Sequence, residues 1–268
     1  MRVIALDFDG VLCDSVRETF ATALHTYGEA MPDSRLVDRI RARLGPWPWS
    51  NPAIATDPDF LRFESLVPLG NRAEDFGVAL LAMDLQTEVT DQSAYDTLYA
   101  SLDPSWLASF HGRFYESRAE LRAEAPEAWL ELHRDYPRFT QLLHEIAGDV
   151  RLAIATAKDS RSLALLLDRF GVDGLFAPEL RFDKETGVQK TEHLTELAGR
   201  LGSKFADITF VDDKVNHLQR VAPLGVRPVL AGWGHNTDRE HRAAEALGFE
   251  VATFDTARTI LTRKGTHE

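Results

Sequence analysis

The sequence has 268 residues, of which 44% are hydrophobic, and a formal net charge of −12. This length allows one large domain or two modest ones, and the apolar fraction is typical of a globular protein. The negative charge makes nucleic acid and anionic membrane surfaces unsuitable partners. One cysteine cannot form an internal disulfide. No apolar run reaches the length of a signal-peptide core or a membrane span, so we expect a cytoplasmic protein.

The chain opens with a short apolar run that ends in two acids. Val3–Leu6 predicts a buried parallel strand, and it is followed by Asp7-Phe8-Asp9-Gly10. Side chains alternate along a strand, so Asp7 and Asp9 leave it on the same side. The carboxyl end of a strand is where open α/β sheets bind ligands. Two carboxylates this close repel each other unless a nearby cation or a shared proton neutralises part of their charge.

Residues 15–140 read as a mainly helical insertion. Apolar residues recur three or four apart over 16–27, which Gly28 is expected to end, and over 36–44. Further helices are predicted over 59–66, 72–83, 92–101, 104–123 and 136–147. The segment 45–52, which contains Trp47 and Trp49, cannot be helical because it holds three prolines. The insertion contains no lysine.

From residue 149 onward, predicted strands alternate with predicted helices. The strands are predicted at 150–156, 179–182, 208–211, 228–231 and 251–254, and the helices at 159–170, 191–201, 215–221 and 238–247. Such alternation favours a parallel sheet covered on both faces. We therefore predict a doubly wound, Rossmann-like α/β core formed by residues 1–14 and 141–268, with the helical insertion after the first strand.

Polar residues follow the later predicted strands as well. Thr156 ends the second strand, where its hydroxyl can donate to a phosphoryl oxygen. Lys190 precedes a helix and can supply a point charge to a phosphate, and it is preferred over Lys184 because it adjoins the helix start. Asp212 and Asp213 end another strand and suit a hard divalent cation.

Other residues of the chain are given a structural interpretation and no direct functional role. Lys158 reads as a solvated lysine, and Asp212 also suits a helix cap. Gly232-Trp233-Gly234 lacks the third glycine of a dinucleotide-binding fingerprint and follows the wrong strand for one.

Together, the four polar motifs resemble those of the haloacid dehalogenase-like (HAD) superfamily, in its phosphoglycolate phosphatase-like branch with a helical C1-type cap. The resemblance implies that Asp7 is the nucleophile, which forms an aspartyl-phosphate, and that Asp9 is the acid/base. It implies that Thr156 and Lys190 bind the phosphoryl group. Residues 15–140 would be the cap, with its hinge after Asp9.

The same resemblance implies a Mg²⁺ site. Asp7, the backbone carbonyl of Asp9 and the carboxylate of Asp213 would be ligands, with Asp212 either a further ligand or one shell out. One departure from the family pattern is His217, which stands in the fourth motif where many relatives carry an acid.

The implied activity is Mg²⁺-dependent hydrolysis of a phosphomonoester on a small phosphorylated metabolite. A phosphomutase or another phosphotransferase of the superfamily would use the same core, and a non-catalytic binding protein would share its fold. A dehalogenase also uses an aspartate nucleophile, but such relatives lack the second acid, which is present here as Asp9. The oligomeric state and the substrate stay open at this stage.

Overall fold

The computed structural model describes residues 2–45, 51–70 and 72–263, so Trp47 and Trp49 lie outside the described residues. It divides into two compact units, Met1–Asp14 with Arg134–Glu268, and Ser15–His133. The short strands β2 (Cys13–Asp14) and β3 (Arg134–Asp135) pair antiparallel. Because this pairing holds residues 134 and 135 to the N-terminal segment, residues 134–140 fall in the first unit and not in the insertion, to which they were assigned above.

The second unit, Ser15–His133, is helical. Its helices are α1 (Val16–Ala30), α2 (Arg35–Leu44), α3 (Pro58–Leu66), α4 (Ala73–Asp84), α5 (Gln92–Ala100), α6 (Pro104–Glu124) and α7 (Pro126–Glu131). Of these, α1, α4 and α6 pack on one another. The apolar faces of helices α1 to α6 form one core, in which Phe20, Phe63 and Phe114 are almost fully buried. The periodicity of the sequence identified these helices to within a few residues, except for the short α7.

The expectation that Gly28 ends the first helix is wrong, because α1 continues to Ala30. A Cβ at Gly28 would lie 3.1 Å from Nη2 of Arg41 and 3.4 Å from Cγ1 of Val37. Both residues belong to α2. The glycine therefore serves close packing of two helices rather than termination.

The α/β unit contains the remaining elements. They are β1 (Val3–Leu6), α8 (Pro137–Ile146), β4 (Arg151–Ala155), α9 (Ser160–Arg169), β5 (Arg181–Phe182), α10 (Lys190–Leu201), β6 (Ile208–Asp212), α11 (Val215–Val221), β7 (Arg227–Ala231), α12 (Asp238–Ala246), β8 (Glu250–Ala252) and α13 (Ala257–Thr262). The six-stranded sheet has the order β5-β4-β1-β6-β7-β8, and its strand pairs are parallel. The predicted α/β fold is confirmed.

Strand β1 lies inside the sheet and is buried along its whole length. Its register aligns Val3 with Arg151 of β4 on one side and with Ile208 of β6 on the other. Apolar side chains from these strands and from α10 and α11 form a core on one face of the sheet. In the part of the chain that the structure describes, no helix is long and apolar enough to cross a membrane.

Candidate active site

The carboxyl ends of three neighbouring strands deliver polar residues to one edge of the sheet. Because β1 lies between β4 and β6, Asp7 emerges between Thr156, which follows β4, and Asp212, which ends β6. The backbone N–H of Asp7 donates to the carbonyl of Val211 at 2.9 Å, which extends the β1–β6 ladder by one residue. The sheet order alone thus brings three of the predicted site residues together.

Asp7 is buried, with 7% of its surface exposed. Its Oδ1 lies 2.7 Å from Nζ of Lys190 and accepts a hydrogen bond from the backbone N–H of Phe8 at 2.7 Å. Burial raises the pKa of Asp7 to about 6, with Lys190 acting against the rise and Asp212 adding to it. Oδ2 of Asp7 accepts no hydrogen bond from the described residues and is left for new bonds.

Lys190 is buried at the first residue of α10. Its ammonium also donates to the carbonyl of Ala155 at 2.7 Å and lies 3.9 Å from Oδ2 of Asp212. Burial acts to lower the pKa of Lys190, but Asp7 and Asp212 outweigh it and raise the pKa above its ordinary value. The lysine therefore stays cationic. Lys184 is exposed, so Lys190 is the one of the two that reaches Asp7.

Thr156 is buried directly after β4. Its backbone N–H donates to the carbonyl of Phe182 at 2.8 Å, and its Oγ1 accepts the backbone N–H of Lys158 at 3.1 Å. The second contact uses the hydroxyl as an acceptor, and the hydroxyl proton has no acceptor among the described residues, so a bound group can accept it.

Asp9 has a partly exposed side chain, and its Oδ1 lies 3.2 Å from Nζ of Lys158. The side chain of Lys158 is only 2% exposed, and its ammonium lies 5.8 Å from the ring centroid of Phe8. The interpretation of Lys158 as a solvated lysine is therefore wrong. The turn after β4 folds this side chain inward against Phe8 and Asp9, which the linear sequence does not reveal.

Asp212 is fully buried, and protein donors engage both of its oxygens. Nδ1 of His217 lies 3.1 Å from Oδ1 and 3.0 Å from Oδ2, and the backbone N–H of Lys214 donates to Oδ1 at 2.9 Å. Burial acts to raise the pKa of Asp212, but His217 and Lys190 outweigh it and hold the pKa below its usual value. Asp212 is thus an ionised carboxylate that the protein itself already saturates.

Asp213 is also buried, but its contacts go to one oxygen. The backbone N–H of His235 donates to Oδ2 at 3.0 Å, and Nζ of Lys214 lies 3.7 Å from the same oxygen. Burial raises the pKa of Asp213. The carboxylate lies against Gly10, whose φ is +78° and where a Cβ would come within 2.2 Å of Oδ2. Gly10 is therefore required both for its left-handed backbone and for the close approach of Asp213.

One group of three side chains offers atoms spaced for a metal ion. Ligand atoms of Asp7, Asp212 and His217 all lie within 4.8 Å of one another. Lys190 lies beside two of these atoms, at 2.7 Å from Asp7 and 3.9 Å from Asp212. The ammonium of Lys190 therefore already supplies positive charge beside these two carboxylates.

The fold and these contacts agree with a comparison against known families. The sequence profile described as haloacid dehalogenase-like hydrolase matches residues 1–220. The chain belongs to the haloacid dehalogenase-like hydrolase family. The resemblance drawn from the four motifs is confirmed, and the protein is a hydrolase of this family.

Solved structures of similar fold come from several bacteria. A predicted phosphoglycolate phosphatase from Haemophilus somnus is 18% identical, with 97% of each chain covered and a TM-score of 0.60. A protein from Lactobacillus delbrueckii subsp. bulgaricus, provisionally named a phosphoglycolate phosphatase, is 12% identical, with 98% of this chain and 100% of that chain covered and a TM-score of 0.67. A predicted phosphatase from Clostridium acetobutylicum is 13% identical, with 97% of each chain covered and a TM-score of 0.59. At these identities the likeness concerns the HAD fold. A search of curated protein sequences found no significant match.

Some residues of this candidate site were missed or undervalued from the sequence. His217 was noted only as a departure from the family pattern, yet its ring contacts both oxygens of Asp212. His235 contacts Asp213 from a loop whose glycines were considered only for dinucleotide binding. The spacing of Asp212 and His217 was a usable signal, because Asp212 ends β6 and His217 lies in the first turn of the helix that follows it. The sequence held no comparable signal for His235.

Proposed function

We propose that the protein is a Mg²⁺-dependent phosphatase that hydrolyses a small phosphorylated metabolite through an aspartyl-phosphate. The observation that carries this proposal is the buried pair of Asp7 and Lys190, with Nζ 2.7 Å from Oδ1 and Oδ2 left without a donor among the described residues. A nucleophilic carboxylate needs an unengaged oxygen and a nearby cation that stabilises its charge.

In the first step, Asp7 attacks the phosphorus of the substrate, and the bond from phosphorus to the leaving oxygen breaks. Asp9 donates its proton to that oxygen. Its partly exposed side chain suits this role, because the acid/base must reach both substrate and water. Thr156 and Lys190 bind the phosphoryl oxygens, through a hydroxyl proton and an ammonium charge.

In the second step, Asp9 accepts a proton from water, and the water oxygen attacks the aspartyl-phosphate. The bond between phosphorus and the Asp7 oxygen breaks, which restores the Asp7 carboxylate and releases inorganic phosphate. The same carboxyl of Asp9 thus serves as acid and then as base, and the cycle needs no further reactant.

The residues fit a hard divalent cation. Asp7 and Asp213 are buried carboxylates whose pKa values burial raises, so a cation would relieve the cost of keeping both ionised. With the backbone carbonyl of Asp9 they form an oxygen-only donor set, which suits Mg²⁺. When bound, Mg²⁺ would neutralise charge on the transferring phosphoryl group.

Asp213, and not Asp212, is the better ligand from the strand end. Both oxygens of Asp212 already accept hydrogen bonds, whereas Oδ1 of Asp213 accepts none from the residues that the structure describes. We therefore assign Asp212 to the outer shell, as the second counter-charge of Lys190. The cap role of the inserted helical unit stays a prediction, based on the family resemblance.

A direct test uses p-nitrophenyl phosphate and a panel of phosphorylated metabolites. We expect release of inorganic phosphate that requires Mg²⁺, is abolished by exhaustive chelation and is inhibited by Ca²⁺, which prefers more ligands and a looser geometry. Full activity after chelation would refute the metal assignment. Phosphate release without a sugar-phosphate co-substrate separates this activity from that of a phosphomutase.

The intermediate can be tested separately. Asp9→Asn should form the aspartyl-phosphate from a substrate with a good leaving group but hydrolyse it about 10²–10⁴-fold more slowly. Mass spectrometry of the peptide that contains Asp7 should then show a phosphoryl adduct. Hydrolysis of the adduct at the wild-type rate would assign the acid/base role to another residue.

A further inference from the structure

The loop that follows β7, residues 232–236, encloses Asp213. The backbone N–H of His235 donates to the carboxylate of Asp213 at 3.0 Å, and Nζ of Lys214 donates to the carbonyl of His235 at 3.1 Å. Nε1 of Trp233 donates to the carbonyl of Val11 at 3.1 Å, which attaches the same loop to the turn that carries Asp9 and Gly10. The loop therefore connects the segment that carries Asp9 and Gly10 to the segment that carries Asp213.

The backbone of this loop lies so close to Asp213 at Gly234 that it leaves no room for a side chain there. A Cβ at Gly234 would lie 2.4 Å from Cβ of Asp213 and 2.4 Å from the carbonyl oxygen of Gly10. Any side chain at position 234 would push the loop away from both. The glycines of the 232–236 loop thus serve close backbone packing.

Asn236 holds the loop in this place. Its Nδ2 donates to the carbonyl of Asp213 at 3.1 Å and to the carbonyl of Ala231 at 2.9 Å. Because carbonyl oxygens only accept hydrogen bonds, the amide nitrogen must face both of them. Oδ1 of Asn236 then faces Nε2 of His241, which donates to it at 2.7 Å. One side chain thereby links the end of β6 to the end of β7.

We propose that Asn236 is a positioning residue for Asp213, oriented in turn by His241, and that it sets the affinity of the site for its divalent cation. The proposal rests on the proposed function, in which the carboxylate of Asp213 is a metal ligand. Asn236 fixes the main chain of Asp213 at its carbonyl, and the neighbouring N–H of His235 fixes Oδ2 of the carboxylate. Groups that orient a metal ligand without touching the metal typically change metal affinity or activity about 10–100-fold when they are removed.

The test compares Asn236→Ala with Asn216→Ala. Asn216 is an exposed residue of α11, three positions after Asp213, so it is a matched control close to the same ligand. We expect Asn236→Ala to raise the Mg²⁺ concentration for half-maximal hydrolysis of p-nitrophenyl phosphate about 10–100-fold, with little change in kcat at saturating Mg²⁺. Asn216→Ala should behave as wild type.

Mn²⁺ binding gives a readout that does not depend on turnover. Titration of each protein against Mn²⁺, followed by the electron paramagnetic resonance signal of the free ion, should show the same 10–100-fold loss of affinity for Asn236→Ala. His241→Phe leaves both N–H donors of the Asn236 amide in place and removes only the hydrogen bond that orients this amide. A smaller loss of Mn²⁺ affinity is therefore expected. If Asn236→Ala fails to fold by circular dichroism, His241→Phe decides the question.

The outcomes separate the two proposals. Wild-type Mn²⁺ affinity and Mg²⁺ dependence in folded Asn236→Ala, or in folded His241→Phe where Asn236→Ala fails to fold, would overturn the positioning role. A fall in kcat with unchanged metal dependence would overturn it too, because that result indicates a purely structural residue. If the wild-type protein neither binds Mn²⁺ nor hydrolyses the ester, the proposed function itself is wrong.

Discussion

The helical unit and the α/β unit both bury carboxylates, but they neutralise them with different cations. In the helical unit, Glu18 is fully buried, and Arg118 contacts its two oxygens at 2.7 and 2.8 Å. Asp57 is held in the same two-point way by Arg43, at 2.8 and 2.9 Å. These planar guanidinium forks occupy both oxygens of each acid.

In the α/β unit, lysines are the partners of Asp7 and Asp213, and each lysine contacts a single oxygen of that acid. Lys190 contacts Oδ1 of Asp7, and the contacts of Asp213 likewise go to one oxygen, Oδ2. An ammonium is a point charge that stabilises a carboxylate without occupying it fully. Burial alone therefore does not mark a reactive acid. The partner does, because an arginine fork locks an acid whereas a lysine leaves an oxygen for chemistry.

Removal of the proposed nucleophile in the α/β unit should nearly abolish activity. Asp7→Asn should lower hydrolysis of p-nitrophenyl phosphate by about 10⁴-fold or more, because the amide has nearly the same shape but does not attack phosphorus. Circular dichroism should show an unchanged fold. Residual activity of a few per cent would refute the assignment of Asp7.

Exchanging the cation should also matter in the α/β unit. Lys190→Arg keeps the charge but supplies a fork that can occupy both oxygens of Asp7. We expect kcat to fall about 10²–10³-fold, the range for loss of a well-placed charge-stabilising group. The control Lys184→Arg, at an exposed position, should leave kcat unchanged. Near-normal kcat in Lys190→Arg would show that the contrast between lysine and arginine has no catalytic meaning here.

The same isosteric change in the helical unit should cost stability rather than chemistry. Glu18→Gln leaves Arg118 without its counter-charge, so the free energy of unfolding should fall by about 3 kcal/mol. Urea unfolding followed by circular dichroism measures this loss. Glu116→Gln, at a largely exposed ion pair with Arg113, should lose less than about 1 kcal/mol. A catalytic defect in folded Glu18→Gln, comparable to that of Asp7→Asn, would show that the arginine-paired acid also takes part in the chemistry.

No covalent adduct should form between a lysine of this protein and a carbonyl-bearing phosphonate. Some HAD proteins cleave phosphonates through an imine on a lysine of a unit inserted after the first strand, but residues 1–157 of this chain contain no lysine. Lys158 is engaged by Asp9 at 3.2 Å, and Lys190 by Asp7. Borohydride reduction in the presence of a carbonyl-bearing phosphonate should therefore leave every lysine unmodified. An adduct on any lysine would indicate cleavage of a carbon–phosphorus bond.

The sequence predicted most of the fold because its signals are local. The periodicity of apolar residues marked the helices of the insertion, and the apolar run Val3–Leu6 marked β1. The two-residue strands β2 and β3 could not be predicted, since two residues carry no periodicity and pair only across the whole insertion. For the same reason the insertion ends before the predicted boundary at residue 140.

The placement of the candidate site residues was predictable where a residue follows a strand or starts a helix. Asp7, Thr156 and Lys190 have such positions, and the sheet order brings the first two to one edge. Asn236 and Lys158 were not predictable in their observed contacts, because those contacts depend on how loops fold back over the strand ends. Loop conformation is set by tertiary contacts that no spacing in the sequence encodes.

The central position of β1 has a consequence for protein synthesis. Its partners β4 and β6 lie at residues 151–155 and 208–212, whereas Ser15–His133 is continuous in sequence. On the ribosome, the helical unit can complete its core from its own contiguous chain while Val3–Leu6 still waits for both partners. These four apolar residues therefore lack both of their sheet partners until residues 151–155 and 208–212 have been synthesised.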